Sequence, residues 1–489
     1  MLKARRRWIL AALTFTACRE PSLVSVELDD PPESACAERD DGTTLRHSCI
    51  GMSASGRADV LFVVDAHAST MDWQVALADA MPTFVRAATS GREVPDLRVG
   101  IVAAQSQAGG CAASPNGAGS AGRFVDRGCL DRPNWFEDPD AIGACNLRCS
   151  ESPGNDELWW SLPSGANAVD AEAFAEALRC AAVIGDRGCS AAEPFGTLRA
   201  VLARRPEDGA FFRSDAAPFI VVVSAADDCT VDPLGSATLA GVSRTECWAE
   251  GSRCVETGPS AWSCEAASTE HLVETERGIG WFGDWAWWWN QIVGFPVRLV
   301  TVTGGRADVH PTAAQPPGPN EESVAPSCIR GNSAALPPTR ISEAIHSLHA
   351  SCFDTFAYSL CEDSLDVVLG ELGQSVRSAV STRCIPFCVA DDDLDAPGIQ
   401  ADCSFIARWF DDEGNHEWFL PACEPDGIPE AEVGCVVLRT GAAADPACGA
   451  EGWNADLEVR WAGERPSRLL IQPRCPLSRN RARDCPPPV

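Results

Sequence analysis

The chain has 489 residues, with 39 Lys and Arg against 69 Asp and Glu and a formal charge of −30. So acidic a balance excludes nucleic acid as a partner, because phosphate backbones demand a basic face. The length allows two or three domains, and the 24 cysteines include no Cys-x-x-Cys pair of the kind that marks zinc ribbons and redox sites.

Lys3, Arg5, Arg6 and Arg7 precede an apolar stretch from Trp8 to Ala17. That stretch is too short to span a bilayer, so residues 1–18 read as an export signal. Phe15-Thr16-Ala17-Cys18 resembles a lipoprotein box, which makes Cys18 the lipidated first residue of the mature protein. Phe15 stands where Leu is usual, and ordinary signal cleavage is the alternative. Behind such a signal the cysteines read as disulfides. With Cys18 lipidated, 23 remain, so one is free or bonded to another molecule. No later segment is long and apolar enough to cross a membrane, so attachment would be through lipid. Arg19 rather than Asp follows Cys18. The expected location is therefore the outer membrane or cell surface, or the periplasm or exterior if the chain is not lipidated.

Residues 19–56 lack apolar periodicity and read as a tether. Short apolar runs follow at Val60–Val64, Leu97–Ala103, Phe219–Val223 and Val297–Val302. Runs of this length, apolar on both faces and rich in β-branched residues, suit buried parallel strands. Helical patterns lie between and after them, at 73–89, 171–182, 193–203, 271–293, 340–349 and 364–380. Strand and helix in alternation predict a doubly wound, mostly parallel α/β sheet over 57–383. Two insertions, 105–168 and 229–268, carry four cysteines each, and loops that long need staples. Residues 384–489 carry eight cysteines among short apolar snippets and read as a small cysteine-rich β module.

Asp59-Val-Leu-Phe-Val-Val-Asp65-Ala-His67-Ala-Ser69 resembles the first strand and metal loop of von Willebrand factor A domains, above all those of a group of myxobacterial lipoproteins. Pro95–Ile101, Gly188–Pro194, Val223–Cys229, Ile341–Leu348 and Leu360–Ser364 echo the same group in the same order. The resemblance implies a site at the carboxyl edge of the sheet. There the family's Asp-x-Ser-x-Ser, a Thr and a later Asp hold Mg²⁺ through oxygen ligands. Asp65 and Ser69 match, His67 replaces the first Ser, and Ala225 stands where Asp is expected, with Asp227 and Asp228 just beyond. The Thr has no evident counterpart; the matching stretch is Gly188-Cys189-Ser190. Nitrogen replaces a hydroxyl poorly on Mg²⁺. The resemblance thus implies a degenerate metal site and no required cofactor. The alternative is a remodelled site in which Asp65, His67 and Asp227 bind a transition metal; Mg²⁺ or another divalent ion is the cofactor such a metal-dependent reading would call for.

Other patterns weigh less. His346 and His349 share a helix face but lack the Glu of zinc peptidases. Asp391, Asp393 and Asp395 alternate but lack the Gly of a calcium loop, and read as an acidic linker. Trp281, Trp285 and Trp288 share a face that packs on the sheet, which leaves Trp287 and Trp289 as a candidate interface. No nucleophile elbow or phosphate loop is present. The sequence therefore predicts an exported protein that binds an unidentified protein or envelope polymer without metal and without catalysis. A metal-dependent adhesin and a secreted enzyme of another type are the alternatives.

Overall fold

The computed structural model describes residues 52–485 with breaks, the longest at 106–121, 150–157, 204–210, 231–242, 273–281, 283–296, 315–324 and 391–398. Cys18, Trp287, Trp289 and the 391–395 carboxylates lie outside the described residues, as does most of the helix expected at 271–293.

Six strands form the central sheet: β1 Arg57–Val64, β2 Asp96–Ala103, β3 Trp160–Leu162, β4 Ala217–Ser224, β5 Arg298–Thr303 and β6 Asp354–Ser359. Their order is β6-β5-β4-β1-β2-β3, with every pair parallel except the antiparallel edge β2–β3. The four apolar runs are β1, β2, β4 and β5. The two edge strands went unread for different reasons. β3 has only three residues, and β6 is only partly buried, so neither carries a continuous apolar signal. β3 also lies inside 105–168, so that insertion contributes to the sheet.

The helices are α1 Met71–Thr89, α2 Pro139–Arg148, α3 Ala168–Ala182, α4 Pro194–Leu202, α5 Arg244–Gly251, α6 Thr339–His349 and α7 Leu365–Val380. Successive strand residues point to opposite faces. Val60, Phe62 and Val64 pack with α1, α3 and α7, while Leu61 and Val63 pack with α4 and α6. Both faces are thereby covered, which is why the central strands carry runs that are apolar on both faces. At the amino edge Arg213 Nε donates to buried Asp59 at 2.9 Å and its Nη1 to Asp96 at 2.7 Å, tying β1 to β2.

The C-terminal module has β7 Ser404–Asp411, β8 Gly414–Leu420, β9 Gly434–Thr440, β10 Ala455–Trp461 and β11 Leu469–Arg474. β11, β7 and β8 are antiparallel neighbours, and β9 pairs with β10. Met52–Ser53 adds to β11, so the end of the expected tether is a strand of this module. Its eight cysteines pair among themselves as 384–448, 388–485, 403–475 and 423–435. Cys388–Cys485 closes a separation of 97 residues; a loop of that size contributes about 4–5 kcal/mol in the chain-entropy account.

The first insertion is pinned by a buried cation. Arg132 Nη1 donates to Ile184 O at 2.8 Å and its Nη2 to Ala181 O and Val183 O at 3.1 and 3.0 Å, at the carboxyl end of α3. Cys149–Cys180 ties the same insertion to α3. Arg132→Met should orphan those carbonyls and lower unfolding stability in urea by roughly 3 kcal/mol, with the disulfides intact.

Candidate functional site

The strand order reverses direction between β1 and β4, and open α/β sheets bind ligands in the crevice at such a switch point. Asp65 leaves β1 there, and its N–H donates to Val223 O of β4 at 3.0 Å. The following turn is locally capped. His67 precedes a short 3-10 helix, Ala68–Thr70, and its Nδ1 accepts the Ser69 N–H at 3.2 Å. Ser69 Oγ lies 2.7 Å from the same nitrogen. Asp65 Oδ1 accepts the His67 N–H at 3.1 Å, and Oδ2 lies 3.5 Å from Ser224 Oγ.

Gln74 of α1 joins this turn to the loop after α3. Its Nε2 donates to Asp65 O and Gly185 O, at 3.1 and 2.8 Å, and its Oε1 accepts the N–H groups of Ile184 and Gly185. Gly188 donates to Ala66 O at 2.9 Å. A Cβ at Gly188 would stand 2.4 Å from that oxygen, so only glycine allows the approach. Cys189 and Ser190, where the second metal loop was expected, lie outside the described residues.

The space over Ser69 and Ala225 is filled by Arg244, the first residue of α5. Its Nη1 donates to Ser69 Oγ, and its Nη2 donates to Ala225 O and to Ala334 O, the latter at 2.6 Å. Burial pushes the Asp65 carboxyl above its ordinary value, and the charges of Arg244 and His67 pull it back. Burial also lowers His67 and Arg244, in each case against the pull of Asp65. Three devices aim this guanidinium. Ser243 and Glu246 form a capping box on α5, Cys229–Cys247 ties α5 to the end of β4, and the Trp248 indole donates to Pro337 O at 2.9 Å. Ala334 belongs to a hairpin of Cys328–Arg330 and Ser333–Ala335, fastened by Cys328–Cys361 and by Ser333 on Asp72 at the start of α1.

Of the residues singled out from the sequence, Asp65, His67 and Ser69 come together, and Asp227 does not join them. Asp227 caps α6: its carboxylate accepts the Arg340 N–H at 2.8 Å and those of Ile341 and Asp228 at 3.0 and 2.9 Å. Its neighbour Asp228 caps α4, accepting the Phe195 N–H at 3.2 Å and the Thr230 hydroxyl at 2.6 Å. His346 is exposed on α6. Among the described residues the gathering of three metal-capable side chains is Cys129, Cys149 and Cys180, whose sulfurs are held in the 129–145 and 149–180 disulfides. Arg244 occupies Ser69 Oγ and Ala225 O, oxygens for which a divalent ion at the Asp65 turn would have to compete with the guanidinium. Arg244 went unread because it lies 175 residues from Ser69. The local Ser243-x-x-Glu246 signature marks a helix start and says nothing of the partner.

The chain matches no family model and no curated protein. Among solved structures, two crystal structures of the pilus adhesin SpaC from Lactobacillus rhamnosus GG, one in an open conformation, align with TM-scores of 0.32 and 0.31 at 10% identity. They cover 87% of this chain and 40% and 39% of the adhesin, so the chain spans about two fifths of its length. At these scores the likeness carries no argument about site or activity.

Burial raises Asp227 from 3.8 to about 6, despite the N–H groups on its carboxylate. Between these values the folded protein binds a proton that the unfolded chain does not. Stability should therefore rise as pH falls from 7 towards 4, by up to about 3 kcal/mol from this group. Urea midpoints across that range should show the rise, and Asp227→Asn should remove this group's share.

Proposed function

We propose that this chain is an exported lipoprotein of von Willebrand factor A type, anchored through Cys18, that binds a protein or envelope-polymer partner without a bound metal. The observation that carries the reading is the Arg244 guanidinium on Ser69 Oγ and Ala225 O, a fixed internal cation beside Asp65. The strand order and the antiparallel edge β3 fit that fold type. The disulfides among the described residues fit an oxidising compartment. No helix among those residues is long and apolar enough to cross a membrane.

The test is titration of Mg²⁺, Mn²⁺ and Zn²⁺ into oxidised mature protein by calorimetry. Wild type should give no stoichiometric binding, and Arg244→Ala combined with His67→Ser and Ala225→Asp should bind one ion. Stoichiometric binding by wild type that is lost on Asp65→Ala would replace this reading with a metal-dependent adhesin.

A second reading, a hydrolase, has one observation in its favour: Ser69 Oγ lies 2.7 Å from His67 Nδ1, within reach of a general base. The same Nδ1 accepts the Ser69 N–H, which is the pattern of a helix cap, and Ser69 Oγ accepts from Arg244. A fluorophosphonate probe should leave Ser69 unmodified by mass spectrometry; covalent labelling lost in His67→Ala would favour the enzyme.

A further inference from the structure

The C-terminal module carries an aromatic cluster that the switch-point site does not use. Opposite residues of β7 and β8 share a face, and the register sets Trp409 against His416 and Ala407 against Trp418. Trp409, His416 and Trp418 thus project from one side, His416 and Trp418 roughly 7 Å apart along β8. The Trp409 and His416 rings stack with centroids 5.0 Å apart at 13°. Trp461 of β10 meets Trp409 edge-on at 5.5 Å. The same side of the sheet carries buried Phe405, Ala407 and Leu420. The cluster is where that core opens to solvent: Trp409, His416 and Trp461 are half-buried and Trp418 is 37% exposed.

Two details separate this surface from an ordinary core margin. The Trp461 ring lies against Gly434, where a Cβ would come within 2.8 Å of it, so the ring is held in place by a position that admits no side chain. The indole N–H groups of Trp409 and Trp461 have no acceptor among the described residues, and neither nitrogen is sealed from water. The flanking charges are matched three to three, with Arg408 on Glu417 at 2.8 Å, Arg439 on Asp456 and Glu458 at 2.8 and 3.0 Å, and Arg460 on Glu458 at 3.1 Å.

We infer that the surface formed by Trp409, His416, Trp418 and Trp461 binds a neutral polysaccharide. Its sugar rings stack on the indole faces, and its hydroxyls accept from the two indole N–H groups. An apolar protein segment would desolvate those N–H groups without pairing them, which is unfavourable. A sugar ring supplies an apolar face and hydroxyl acceptors in one rigid unit. A polyanion would meet no surplus positive charge on these flanks and a chain of net charge −30. The inference rests on the binding reading above for its polymer branch alone, since it concerns a different surface.

The experiment is calorimetric titration of oxidised mature protein with maltohexaose, cellohexaose and xylohexaose, with polygalacturonate as the anionic comparison. At least one neutral oligosaccharide should bind with a Kd of about 1 mM or tighter. Affinity should fall about tenfold in Trp418→Ala, whose side chain is exposed, and in Trp461→Ala, with circular dichroism as the check on folding. Arg244→Ala should leave the titration unchanged, which separates this surface from the switch-point site. No binding by any neutral oligosaccharide, binding that survives both tryptophan variants, loss in Arg244→Ala, or binding of polygalacturonate alone would each overturn the inference.

Discussion

Carboxylates at the carboxyl edge of the sheet are buried, and a buried charge left unmet costs several kcal/mol. Asp65, Asp227 and Asp228 are each no more than 3% exposed, and much of the architecture around β1 and β4 serves to supply their donors. Asp227 and Asp228 are adjacent, yet they cap different helices, α6 and α4, on the same face of the sheet. Asp65 has no helix terminus of its own. It takes the His67 N–H and the field of Arg244 instead. The positions of α4, α5 and α6 thus follow from where three carboxylates leave two strands.

The disulfides act on the same constraint from outside. Long insertions have little core of their own, and a cross-link limits the conformations they lose on ordering. Cys229–Cys247 holds α5 near the end of β4, and Cys328–Cys361 holds the hairpin whose Ala334 carbonyl receives Arg244. Both the insertion that delivers this cationic side chain and the hairpin that receives it are thereby cross-linked to the domain. At the opposite edge, Arg213 bonds Asp59 and Asp96 directly, where Arg244 acts on Asp65 through its charge. Both ends of β1 therefore depend on an arginine contributed from a connecting segment.

The two candidate surfaces differ in kind. The switch-point turn is polar, internally compensated and committed to its own hydrogen bonds, so a partner there would meet a neutralised rim rather than an open cation. The aromatic surface of the C-terminal module is amphipathic, with the indole N–H groups of Trp409 and Trp461 meeting no acceptor among the described residues. The two proposals concern separate surfaces, so neither requires the other to hold.

Much of this protein is local in origin and was legible in residue order. The four central strands are continuous apolar runs because helices cover both faces, and Asp65 and Ser69 follow β1 at a spacing that a single capped turn brings together. The eight module cysteines cluster in sequence and pair among themselves, though their connectivity came only with the fold. Other features depended on tertiary placement. Asp227 looked like a ligand because it follows β4; its carboxylate instead accepts N–H groups at the amino end of α6, 113 residues away. Arg244 carried no signal of its partner, and β3, β6 and the Met52–Ser53 strand are too short or too exposed for periodicity to mark them. Periodicity and capping are read over one or two turns of chain, whereas the partner of a buried charge is whichever group the fold brings within hydrogen-bond reach.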